Sequence, residues 1–178
     1  QERDSIKDVR DGQVYKTVKI GSQWWMVENL RFESKSGFSW FEDAPQYRKP
    51  FGCYYYFDVA KSVCPAGWRL PSDKDWQKLA DYLGGVYFAG VKLKTKEPWM
   101  PPNAGAGNST GFSALPGGFQ DLDGTFVMQG SVEYWWSSDV TSWGNGSMWL
   151  VASDAPVLRN ADYDKKSRLN VRCIKNLP

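Results

Sequence analysis

The side chains of this 178-residue chain best suited to covalent chemistry are three cysteines, Cys53, Cys64 and Cys173. Cys64 opens the run Cys64-Pro65-Ala66-Gly67-Trp68-Arg69-Leu70-Pro71-Ser72, and Cys173 lies near the end in Val171-Arg172-Cys173-Ile174. Read as a disulfide, Cys64 and Cys173 tie mid-chain to the last strand, and closing so long a loop is worth up to ~4–5 kcal/mol in the chain-entropy model. Such a staple implies an oxidising, extracytoplasmic compartment. The competing pairing of Cys53 with Cys64 closes only a short local loop, and either choice leaves one thiol over. The chain has no histidine. Ser-His-Asp and Cys-His nucleophilic sites and His-based zinc sites therefore cannot be built, and no imidazole serves as a general base near neutral pH.

Metal chemistry has one weak foothold. Asp121-Leu122-Asp123-Gly124 sets carboxylates at alternate positions before a glycine, but the other oxygen ligands and the closing glutamate of a calcium loop are missing. Asp121 and Asp123 read better as a turn between Phe119 and Phe126, and no cofactor is expected. Ten tryptophans and nine tyrosines offer another kind of site. An exposed indole or phenol presents large contact area to a sugar ring or a protein at little entropic cost. Trp24 or Trp25, Trp68, Trp76, Trp135 and Trp136 occupy motif or amphipathic positions and are assigned to the core. Trp40, Trp99, Trp143, Trp149 and Tyr163 lie in or beside segments rich in Gly, Ser, Asn and Asp, and are the aromatic ligand candidates.

The elements that must hold these residues are mostly short strands. Val14 to Ile20, the pair Gly21-Ser22 and Gln23 to Val27 read as a hairpin, since a Gly-first two-residue loop suits twisted antiparallel strands. A helix over about 72–83 starts at Ser72, whose hydroxyl can cap it, with Asp73 and Asp75 at its positive end. Trp76, Leu79, Ala80 and Leu83 form its buried face, and Gly84-Gly85 ends it. Residues 95–111 carry Pro98, Pro101-Pro102, three glycines and two asparagines, and predict a long irregular loop. Strand candidates follow at 112–115, 125–128, 134–138, 147–151 and 169–174. In the last, Leu169, Val171 and Cys173 alternate with Asn170, Arg172 and Ile174, as in a half-buried strand.

Composition bounds the whole. With 42% hydrophobic residues the chain can build a real core; its mean hydropathy of -0.53 and lack of a long apolar run exclude a membrane-spanning helix. A net charge of +2 without any basic block argues against nucleic acid. One domain over 11–178, after an N-terminal tail of 1–10, is expected. Because the chain begins at Gln1, a removed export leader or a lipid anchor upstream is also expected.

Six ordered segments together resemble the Fibrobacter succinogenes major paralogous domain family: Tyr15 to Gly21 with Trp25-Met26-Val27-Glu28-Asn29-Leu30, Cys64 to Asp73 with Trp76, Gly111 to Gly118, Tyr134 to Ser138, and Val171-Arg172-Cys173. The resemblance implies an exported or lipid-anchored bacterial surface protein, of an outer-membrane lipoprotein type. It also implies an α+β fold like the formylglycine-generating, sulfatase-modifying branch of the C-type-lectin-like fold, in which both chain ends meet in one small sheet. The Cys64 to Cys173 pairing is implied as well, with Cys53 as an extra. Oxidases of that branch need a reactive cysteine pair holding copper, which a chain spending two of three cysteines on a bridge does not supply. The triplets Glu-Pro-Asn and Gln-Pro-Asp, by which calcium-dependent lectins hold a hexose, do not occur.

In related lectin-like binding proteins the segment before the last strand carries the ligand surface. Here that is 142–166, with Trp143, Asn145, Trp149, Asp154, Arg159, Asn160, Asp162 and Tyr163, to which Trp99 is added. The expected function is a non-catalytic binding or adhesion module for a glycan or protein at the cell surface. The alternative is a structural or assembly domain of a surface complex.

Overall fold

The computed structural model describes residues 1–176. In chain order these form β1 (Arg3–Lys7), β2 (Val14–Ile20), β3 (Gln23–Met26), β4 (Phe38–Ser39), α1 (Arg48–Phe51), β5 (Tyr54–Tyr56), α2 (Phe57–Ala60) and β6 (Trp68–Arg69). Then come α3 (Asp73–Tyr82), α4 (Val86–Leu93), β7 (Phe119–Gln120), β8 (Phe126–Val127), β9 (Val132–Val140), β10 (Gly146–Ala152), β11 (Leu158–Tyr163), β12 (Arg168–Asn170) and β13 (Ile174–Lys175). The architecture is α+β, two sheets with few short helices. The smaller sheet has the order β1-β2-β3-β13-β6, so strands from both chain ends share it. The larger runs β11-β10-β9-β12-β5-β4, with the β7–β8 hairpin joined through β7 to β12.

The expected hairpin forms as β2 and β3, with Lys19 opposite Trp24 and Gly21 at a φ of 61° in the turn. The expected helix forms as α3. Ser72 Oγ accepts from Asp75 N at 3.2 Å and Asp75 Oδ2 accepts from Ser72 N at 2.7 Å, a capping box that satisfies two of the first-turn donors. Arg69 grips the same carboxylate at 2.5 and 2.9 Å. Trp76 on this helix stacks on Trp135 of β9 and Trp149 of β10, with centroids 5.3 and 6.2 Å apart. Trp24, Trp25, Trp68, Trp76, Trp135 and Trp136 all pack into or against the two apolar clusters, as their positions predict.

Four expectations need correction. Residues 3–7 are not tail but β1, paired with β2 from Arg3 opposite Val18 to Lys7 opposite Val14. Its side chains are exposed except for Ile6, which packs against the second apolar cluster, so the strand is held mainly by backbone bonds and leaves no apolar alternation to read. Residues 112–115 make only an isolated bridge, Ala114 to Lys94, because Ser113 adopts a φ of 59° that breaks the extended run. Residues 169–174 split: β12 belongs to the larger sheet and β13 to the smaller, and the residues between pass through the interior buried on both sides. Finally, a second helix, α4, follows α3 where the sequence reading placed none. Residues 95–111 are irregular as expected.

Candidate functional site

Cys64 and Cys173 form a disulfide across 109 positions, and Cys53 is a buried free thiol. Burial pushes that thiol up to about 12, so it carries no nucleophilic thiolate at neutral pH.

The segments that carry the family resemblance converge on a buried polar hub rather than on a cleft. Asn29 Nδ2 donates to Glu133 Oε1 at 2.6 Å, and the Gly117 amide donates to Glu133 Oε2 at 2.7 Å. Asn29 Oδ1 accepts from Trp135 Nε1 at 2.9 Å and from Arg172 Nη2 at 2.8 Å. Arg172 Nη1 donates further to the carbonyls of Val27 and Phe112 at 2.7 and 2.6 Å. Burial pushes Glu133 up to about 8 and Arg172 down to about 10. Both side chains are closed to solvent, at 0% and 1% exposure, so the hub locks β3, β9 and the 171–173 crossing together and offers no ligand a way in.

The proposed ligand residues are dispersed. Trp99 is buried, its Nε1 donating to Thr95 Oγ1 and the Ala114 carbonyl at 3.2 Å each. Trp149 is buried too, donating to Asp73 Oδ1 at 2.9 Å beneath α3. Both are core residues, because the polar segments around them fold over the indoles and supply their N–H partners. Trp40 is half-buried against Phe38. Asn145 Nδ2 donates to Asp162 Oδ2 at 2.7 Å, and Asn160 Nδ2 donates to the Met148 carbonyl at 3.2 Å, so these three secure the β10–β11 hairpin while remaining at its surface. Asp154 lies in the connection between β10 and β11, at the end of the hairpin away from Trp143. Arg159 faces the other side of the sheet, opposite Leu150. Tyr163 packs on Phe119 and donates to Asp121 Oδ1 at 3.3 Å. Asp123 accepts from Thr125 N and Oγ1 at 2.9 and 2.7 Å, which makes Asp121 to Gly124 the turn of the β7–β8 hairpin. Among the described residues no group of three or more His, Cys, Asp or Glu is placed to hold a metal ion.

Trp143 is different. It stands at the tip of the β9–β10 turn with 88% of its surface exposed. Thr141 N donates to the Asn145 carbonyl at 2.9 Å, and Gly144 takes a φ of 86° in the turn that carries this indole. Gly144 and Asn145 also line an open cleft of about 940 Å³. Its other walls come from Tyr56, Asp58 and Val59 around the start of α2, from Leu122 in the β7–β8 turn and from Asp164, Lys165 and Lys166 between β11 and β12. Arg168 holds Tyr56 in place, donating to its hydroxyl at 2.8 Å with the guanidinium 4.1 Å from the ring centroid. Sequence reasoning missed Tyr56 and Asp58, which lie far from the 142–166 segment and reach the cleft only because β5 pairs with β12. The cleft thus mixes an amide, carboxylates, ammonium groups and a phenol with two aliphatic side chains, groups able to hydrogen-bond and to stack.

No curated protein and no solved structure matches the chain. The family model described as the Fibrobacter succinogenes major domain matches residues 18–175, which takes in every segment of the hub, the disulfide and the cleft, and the chain belongs to that family.

Proposed function

We propose that this protein is a non-catalytic, extracytoplasmic binding module that takes a glycan on the cleft beside Trp143. The single observation behind the reading is the fully presented indole of Trp143, adjoining in sequence Gly144 and Asn145, which line a wide cleft rich in hydrogen-bonding groups. Leaving a tryptophan in water forgoes a large burial gain, and sugar rings stack on such faces while their hydroxyls bond to amides, carboxylates and ammonium groups. The disulfide supports an exported setting, including that of a lipid-anchored surface protein. A C-type-lectin-like scaffold, similar to the formylglycine-generating branch, is supported by the small sheet in which strands from both chain ends meet. Recognition rather than oxidation is supported by the sulfur inventory, one bonded pair and one buried thiol.

The test is binding to a glycan array and to cell-wall polysaccharides by the wild type, W143A and K165A. W143A is expected to abolish retention with an unchanged melting temperature, and K165A to weaken it. Retention unchanged in W143A removes this site. A Trp149→Ala variant serves as the folding control, because emptying a buried indole site costs about 3–5 kcal/mol whether or not a ligand exists.

An assembly role is the second reading, and one observation favours it. Tyr82, Tyr87 and Phe88 are 66%, 68% and 61% exposed within seven residues at the α3–α4 corner, a concentration of apolar surface typical of protein contacts. Absence of retention on every glycan, with loss of self- or partner-association in a Tyr87→Ser/Phe88→Ser variant, would favour it.

A further inference from the structure

A second cavity, of about 310 Å³, opens on the larger sheet and belongs to a different surface from the Trp143 cleft. Its volume is at the small end of those that hold ligands. Met148, Phe119 and Leu169 form a buried floor. Phe119 sets its ring edge-on to both Tyr134 and Tyr163, with centroids 5.0 and 5.1 Å away, so three aromatic rings wall one side. Met128 stands at the rim, 56% exposed. Its φ of 62° is a left-handed backbone that a non-glycine residue adopts at a cost. Thioethers and ring edges around one space make favourable contacts with a flat aromatic ring, more so than with a branched aliphatic group.

The polar groups at this cavity are ordered by strand register. Tyr134 of β9 lies opposite Leu150 of β10, and Leu150 lies opposite Arg159 of β11, so the three side chains make one row across the sheet on one face. The Tyr163 hydroxyl is taken by Asp121. Among the described residues the Tyr134 hydroxyl makes no hydrogen bond and Arg159 makes neither an ion pair nor a side-chain hydrogen bond. The wall of this apolar, aromatic-lined slot thus carries a phenol with no partner, and one strand beyond Leu150 in the same row, outside the lining itself, stands a guanidinium with no ion pair. Guanidinium groups match carboxylates in geometry as well as charge.

We propose that this cavity binds a planar aromatic acid, its ring between Met128, Leu150 and the Phe119 wall, its carboxylate on Arg159 and Tyr134. The probes are 2-naphthoate and its neutral counterpart 2-naphthalenemethanol, titrated against the full chain by backbone-amide NMR. The naphthoate is expected to bind saturably, with shifts centred on Tyr134, Met148 and Leu150, and at least tenfold more tightly than the alcohol. R159Q should remove that advantage and leave the alcohol unchanged; Leu150→Trp, which fills the slot, should abolish both. Equal affinity of acid and alcohol, an R159Q variant that binds naphthoate like the wild type, shifts centred on the Trp143 cleft, or no saturation would each overturn the proposal. Arg159 is exposed, so R159Q decides the matter even should Leu150→Trp fail to fold. The Trp143 reading is untouched by either result, because W143A lies outside this cavity.

Discussion

At the residue scale, Glu133 shows how a charged residue type can be structural. Both of its oxygens accept backbone or amide N–H groups, and it is wholly buried. A side chain on Gly117 would sit 2.7 Å from Glu133 Oε2 and 3.1 Å from Asn170 Oδ1, an acceptor with no donor of its own. Burial raises the folded-state value to about 8, against 4.5 for an ordinary glutamate. The folded state then holds a proton that the unfolded state has released, and stability falls as pH rises between those values. The contribution is complete below about 4.5 and lost through about 8. Urea midpoints should decrease from pH 5 to pH 8, and Glu133→Gln should flatten that slope; a wild-type midpoint that rises over the same window would show the carboxylate ionised in the fold. Asp75 has the opposite sign. Burial alone would raise its pKa, but the hydrogen bonds from Arg69 and Ser72 outweigh it and hold the carboxyl below 3.8, so its support is present at neutral pH and is lost in acid.

At the scale of elements, α3 and α4 differ in how they declare themselves. α3 has a cap, a first-turn acid pair and an apolar face at helical spacing, and its bounds follow from these. α4 carries Val86, Ala89, Gly90 and Leu93 at i, i+3, i+4 and i+7, a signal available to a closer reading. Its N-terminal Gly85 lacks a capping side chain, and Tyr87 and Phe88 spoil the polar face. Gly90 is there for contact, not for flexibility. A Cβ at that position would lie 2.6 Å from the Pro156 carbonyl oxygen and 2.7 Å from that of Val157, backbone atoms that have little room to yield. Alanine favours helix over glycine by about 1 kcal/mol, yet overpacking costs about 1–3 kcal/mol. Gly90→Ala should therefore lower the denaturation midpoint, and a raised midpoint would mean that α4 is not seated on the β10–β11 connection.

For the molecule as a whole, the disulfide and the hub fasten the same crossing. Residues 171–173 leave the larger sheet, pass through the interior and enter the smaller one, with Arg172 bonded to the 26–29 segment and Cys173 bonded to Cys64. Replacing both bridge cysteines by serine is expected to cost about 2–5 kcal/mol. Thiol titration in denaturant should find one thiol before reduction, from Cys53, and three after it. Two or more thiols before reduction would mean that the bridge is not made. Because two independent fastenings act on one crossing, the double-serine variant should retain its sheets and lose stability rather than fold.

Read by itself, the sequence determined whatever is local or periodic: the β2–β3 hairpin, α3 with its cap, the irregular 95–111 segment, the Asp121 to Gly124 turn, the core tryptophans at motif positions, and the family. Those features depend on neighbours within a few residues, where propensity and spacing act directly. Tertiary structure alone decided the rest. Trp99 and Trp149 look like loop residues until Thr95, Ala114 and Asp73 are folded against their indoles. Glu133 carries no local signal, and Arg172 falls on the polar side of an alternating strand, until Asn29, more than a hundred residues away, joins them. Tyr56 and Asp58 reach the cleft beside Trp143 through strand pairing alone. Burial and polar satisfaction are properties of what surrounds a side chain in space, and for these residues the surroundings come from distant parts of the chain.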